Sequence, residues 1–136
     1  MVNDLKVELR QISASASAVA IRSHRLVIDR PVAKGGADMG PMGGELFLAG
    51  VGGCFMSNLL AVIASRAAQV SNVNLEVTGT LVGSPTRLIA VKLCVTADSA
   101  DREMLEYLVK IADRGCIVMN TLRGKLDVGV RVAASL

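Results

Sequence analysis

The chain has 136 residues, enough for one domain, 1–136, with a substantial hydrophobic core. Of these, 51% are apolar, yet there are only one Tyr, two Phe and no Trp, so the core is built from aliphatic residues. The net charge of +3 is mild and its basic residues are scattered; without stacking aromatics or a basic patch, nucleic-acid binding is excluded.

The first third reads as strands. In "LKVELRQI", Leu5, Val7 and Leu9 alternate with Lys6, Glu8 and Arg10, and "AVAI" and "RLVID" flank a hairpin turn at Arg22-Ser23-His24. "MVNDLKVELRQIS" has no apolar h-region, so a signal peptide is not expected and the cytoplasm is the default. The Gly- and Pro-rich stretch "RPVAKGGADMGPMGG" is a loop. It lacks the Lys-Ser/Thr ending of a phosphate-cradling loop. Its Met39 and Met42 suit a lid or an interface lining.

From Glu45 the pattern changes. "ELFLAGVGGCFMSNLLAVIASRAAQ" has no alternation and is too long for a strand, so it predicts a helix. Leu46–Ser65 carries no charge, which approaches the roughly 20 residues that span a bilayer. Its Gly50, Gly52, Gly53, Ser57, Asn58 and Ser65 favour burial at the centre of a soluble protein or dimer instead. One small domain would struggle to cover this run alone, so a homodimer is expected and a membrane is not. The glycines each weaken the helix by about 1 kcal/mol relative to Ala, which suggests a close backbone approach or a break before Cys54.

Two strands follow, with Val73, Leu75, Val77 and Leu81 on one face of the first and Ile89, Val91, Leu93 and Val95 on one face of the second. Asp98 or Ser99 can cap a second helix, "ADREMLEYLVKIADRG", whose stripe is Met104, Leu105, Leu108, Ile111 and Ala112. Its charges read as a solvated face. Gly115 ends the pattern and "LDVGVRVAA" is a last strand. Sequential antiparallel strands with interposed helices predict an α+β fold.

There are three cysteines and one histidine. Their spacing gives no zinc site, and without an export signal they argue for a reducing compartment rather than a disulfide framework. His24 reads as a surface residue and Cys94 as a small hydrophobe in a strand. Cys54 has two readings. It is either a buried small residue or a nucleophile to which Gly52-Gly53 gives access and free helix-start amides lend acidity. Cys116 falls one turn beyond Ala112 and faces inward. Two inward-facing cysteines on facing helices can approach to disulfide range, with Cα atoms roughly 4.4–6.8 Å apart.

"GPMGGELFLAGVGGCFMSN" and "ADRGCIVMNTL" together resemble the two signatures of the OsmC/Ohr family, and the order of elements is similar along nearly the whole chain. The resemblance implies antiparallel sheets wrapped around a long buried central helix in an intertwined homodimer. It also implies a thiol-dependent peroxidase acting on organic hydroperoxides, and on hydrogen peroxide less well. Cys54 would be the peroxidatic cysteine and Cys116 the resolving one. An Arg and a Glu activate the first cysteine in this family. Glu45 takes the acidic role here and Arg30 the basic one, with Arg25 and Arg22 behind it. The chain departs from the pattern at Gly43-Gly44, where Pro and the acidic residue usually stand, and at Ile117, where Pro usually follows the second cysteine.

The implied chemistry needs no cofactor or metal. Cys54 attacks the peroxide and becomes a sulfenic acid, Cys116 condenses with it to a disulfide, and an external dithiol, lipoyl-type or other, reduces the bond. The competing expectation is a non-enzymatic protein of the same fold that senses redox state or binds an apolar ligand in the dimer groove.

Overall fold

The computed structural model describes residues 2–133. The chain forms two compact units, Met1–Phe47 and Leu48–Leu136.

In the first unit, β1 (Glu8–Gln11), β2 (Ser17–Ile21) and β3 (His24–Ile28) form an antiparallel sheet in the order β1-β2-β3. The hairpin between β2 and β3 turns where expected, with Arg22 in the left-handed region at φ 53°. β1 is shorter than the alternating pattern, and Leu5 and Val7 precede it, 95% and 53% exposed. The alternation predicts a covered sheet face there, but all four residues of β1 are exposed. The Gly/Pro loop that follows β3 is organised around Asp29, which is 1% exposed. Its carboxylate accepts hydrogen bonds from the backbone N–H groups of Arg30 (2.7 Å), Ala37 (3.2 Å) and Met39 (3.1 Å). Close packing demands two of the loop's glycines, since a Cβ on Gly36 would strike the Arg30 carbonyl and one on Gly40 the Val27 carbonyl.

The long helix α1 runs over Gly43–Ser65. It does not break before Cys54. The close approach is at Gly52, where a Cβ would lie 2.7 Å from Val77 Cγ2. Gly50 and Gly53 face open space. Among the described residues α1 is the one helix long and apolar enough to cross a membrane. It buries Val51, Gly52, Phe55 and Leu59, while Leu60 is 49% exposed. α1 thus buries residues along one face while others along it stay exposed.

In the second unit, β4 (Val70–Val82) and β5 (Arg87–Ser99) form a long antiparallel hairpin, and β6 (Asp127–Val132) lies beside β5. β6 runs parallel to β5, departing from an all-antiparallel expectation. The helical connection between them carries the chain back to the starting edge, as parallel neighbours require. Val91, Leu93 and Val95 share one face of β5 and are at most 1% exposed. Phe55 and Leu59 of α1 pack there with Leu105, Leu108 and Ala112 of α2 (Arg102–Arg114). Burying such aliphatic side chains contributes about 1.5–3 kcal/mol each before entropy is counted. Leu81 was expected on the inner face of β4 but is 62% exposed, because a register shift between Thr80 and Leu81 re-aims the strand end.

β5 continues through Ser99, so the helix cap falls not at Asp98 or Ser99 but at Asp101, whose carboxylate accepts from the Met104 N–H at 3.0 Å. A short helix that the sequence pattern did not announce, α3 (Ile117–Leu122), follows α2. The expected last strand reached Ala134, which lies outside the described residues.

Candidate active site

Cys54 sits in the interior of α1, half-buried, among residues that pack on the sheet. α1 is continuous here, so the helix start expected just before this sulfur does not occur. Cys116 occupies the N-cap position of α3, immediately after Gly115 closes α2, and is fully buried. The two helix ends meet at this residue, which turns its side chain toward α1. The Sγ of Cys116 donates a hydrogen bond to the Sγ of Cys54 at 3.3 Å. Both are free thiols.

Burial pushes the Cys116 thiol up, the Met119 N–H opposes this, and neighbouring Cys54 raises it further. The net position is above the ordinary value of 9.0, so near neutral pH Cys116 is a protonated donor. Asn58, one turn along α1 from Cys54, donates to the Ala112 carbonyl at 3.4 Å. That bond ties α1 to the last turn of α2, next to the thiol pair.

The other expected site residues belong to the first unit. Arg30 lies at the rim of a polar cavity of about 450 Å³, together with Ser15, Ser17, Lys34 and the start of α1 at Gly43-Gly44. Its guanidinium has no hydrogen-bond partner among the described residues, whereas that of Arg25 is turned onto the carbonyls of Arg22 and His24 at 3.2 and 3.0 Å. Glu45 is engaged locally, its carboxylate accepting from the Met42 N–H at 2.8 Å. This is the return half of a capping box at the start of α1. Among the described residues Glu45 pairs with no arginine. His24 is exposed as expected, although it opens β3 rather than lying in the turn.

Sequence reasoning missed a second feature of the corner that holds Cys116. Asp113 and Arg123 flank it, and Arg123 makes a forked ion pair with the Asp113 carboxylate, Nη2–Oδ1 3.1 Å and Nη1–Oδ2 3.2 Å. The sequence pattern places Asp113 among the solvated charges of α2, but its side chain is only 20% exposed. The signal lay in the oppositely charged residues on either side of Cys116.

The family model described as OsmC-like protein matches residues 35–131 of the chain. Comparison with curated protein sequences finds no match. Among solved structures, the organic hydroperoxide resistance protein OsmC of Legionella pneumophila is similar with a TM-score of 0.76 at 22% identity, covering 98% of this chain and 99% of that one. The organic hydroperoxide resistance protein OhrB of Bacillus subtilis has a TM-score of 0.72 at 24% identity, with coverage of 96% and 98%. An OsmC-like protein of Mycoplasma pneumoniae gives 0.81 at 17% identity, with coverage of 98% and 100%. The likeness to these structures is one of fold.

Proposed function

We propose that this chain, which belongs to the OsmC-like protein family, is a cysteine-based peroxidase that reduces organic hydroperoxides. The observation that carries the reading is the 3.3 Å contact between the sulfurs of Cys54 and Cys116. Cys54, as thiolate, attacks the distal oxygen of the hydroperoxide. The O–O bond breaks, the alkoxide leaves as an alcohol after taking a proton, and Cys54 becomes a sulfenic acid. The Cys116 sulfur then attacks that sulfur and displaces water, closing a disulfide. An external dithiol of lipoyl or similar type restores both thiols by exchange. Arg30 is assigned the cation that stabilises the thiolate and binds the peroxide, and Glu45 the supporting carboxylate. The aliphatic cluster that holds Cys116 and packs against Cys54 suits apolar hydroperoxides. The working form is a homodimer of a single OsmC-like domain, since α1 leaves the apolar Phe47 and Leu60 exposed.

A second reading, a redox sensor or apolar-ligand carrier of the same fold, is favoured by the capping role of Glu45, which spends the expected activating carboxylate on the Met42 N–H. Peroxide consumption separates the two. With excess dithiol, wild-type protein is expected to consume cumene hydroperoxide and Cys54→Ser to lose this activity. Equal rates from the two proteins contradict the enzyme. A monomer mass by light scattering contradicts the dimer.

A further inference from the structure

The corner between α2 and α3 is more heavily tied than a helix junction requires. Besides the fork onto the Asp113 carboxylate, Arg123 Nη2 donates to the Asp113 carbonyl at 3.2 Å and to Asn120 Oδ1 at 3.1 Å. Asn120 in turn donates from Nδ2 to the Arg114 carbonyl at 2.9 Å, and its backbone N–H reaches the Cys116 carbonyl at 2.9 Å. The Cys116 N–H donates to the same Asp113 carbonyl at 3.2 Å. Residues on both sides of Cys116 are therefore fastened to one another, and the cysteine backbone is part of the knot. An exposed isolated ion pair contributes little. A planar fork that holds two carboxylate oxygens, a carbonyl and an amide oxygen is a device for fixing geometry.

We propose that Asp113, Arg123 and Asn120 form a clamp that positions Cys116 against Cys54, making Arg123 a positioning residue for disulfide closure. The clamp rests on the reading of the two cysteines as a redox pair. Its effect is to raise the effective concentration of one sulfur at the other, which favours the disulfide both kinetically and at equilibrium. Asp113 outweighs burial in holding the Arg123 guanidinium above its ordinary value, so the fork stays charged.

The test is the equilibrium of the Cys54–Cys116 pair with oxidised and reduced dithiothreitol, read by peptide mapping. The two thiols give two electrons and two protons to the oxidised dithiol, whose S–S bond breaks as the protein's forms. Arg123→Met is expected to lower the equilibrium constant about tenfold, a potential about 30 mV less negative. Arg123→Lys, which reaches fewer acceptors, is expected to lower it about threefold, and it decides the matter if Arg123→Met does not fold. Constants equal to wild type, with only a lower melting temperature, overturn the clamp and leave Arg123 a structural residue. No peroxide enters this measurement. A wild type that consumes no cumene hydroperoxide contradicts the peroxidase and leaves the clamp standing, while an unchanged constant contradicts the clamp whatever the peroxide result.

Discussion

The thiol of Cys116 points at the sulfur of Cys54 across 3.3 Å, although the two residues are 62 positions apart in the chain. One helix interior and one helix junction are brought together by the core that lies between them. The half-buried sulfur is on the long helix and the fully buried one is at the junction, so they differ in access as well as in place.

That difference predicts an order of labelling. At neutral pH iodoacetamide is expected to modify Cys54 ahead of Cys116, which is both sealed and held protonated. The sign for stability follows from the same shift. A thiol whose folded value is raised stabilises the fold fully below its ordinary value of 9.0, and that contribution is lost as pH rises through the folded value. Chemical denaturation at stepped pH is expected to show stability declining above pH 9.0, with a shallower decline in Cys116→Ser. Equal slopes contradict this.

Gly52 is where α1 comes closest to the sheet. A side chain there meets Val77 Cγ2 at 2.7 Å and Leu75 Cδ2 at 3.3 Å from its Cβ alone. Gly52→Val is expected to destabilise the protein by about 1–3 kcal/mol through overpacking, measured by urea unfolding. A neutral or stabilising effect would mean that the helix and sheet can separate freely.

Asp29 holds the Gly/Pro loop through its carboxylate. Burial pushes this group up, but the Met39 and Arg30 N–H groups, with Ser15 and Ala37, outweigh it and hold it below its ordinary 3.8. The loop's anchorage is therefore complete above that value and lost as pH falls through the lowered one. Asp29→Asn presents one acceptor oxygen in place of two and is expected to open residues 30–42 to limited proteolysis at pH 7. A cleavage rate equal to wild type contradicts the anchoring role.

Much of this was legible in the chain itself. Alternation in "RLIAVKLCVTA" located the buried face of β5 at Val91, Leu93 and Val95, although Ile89 at the start of the same row is 41% exposed, and the stripe ending in Ala112 led directly to an inward Cys116. The cap at Asp101 was not legible because pairing with β4 carries β5 through Ala97, Asp98 and Ser99 against their local preference. The short helix after Cys116 was illegible since it holds the β-branched Ile117 and Val118 and too few residues for periodicity to register. The continuity of α1 through three glycines was likewise set by tertiary packing, which overrides propensity. Asp113 and Arg123 carry a readable charge pairing, but only the fold reveals that the helix junction between them closes on a cysteine.

The central claim is that an oxygen–oxygen bond is cleaved at Cys54 and the product resolved by Cys116. Reduced protein is treated with one equivalent of cumene hydroperoxide and mapped by peptide mass spectrometry. The account predicts a Cys54–Cys116 disulfide in wild type, and in Cys116→Ser a sulfenic acid at residue 54 that advances to sulfinic acid with further peroxide. Intact thiols at both positions in wild type, or a disulfide that bypasses Cys54, would contradict it.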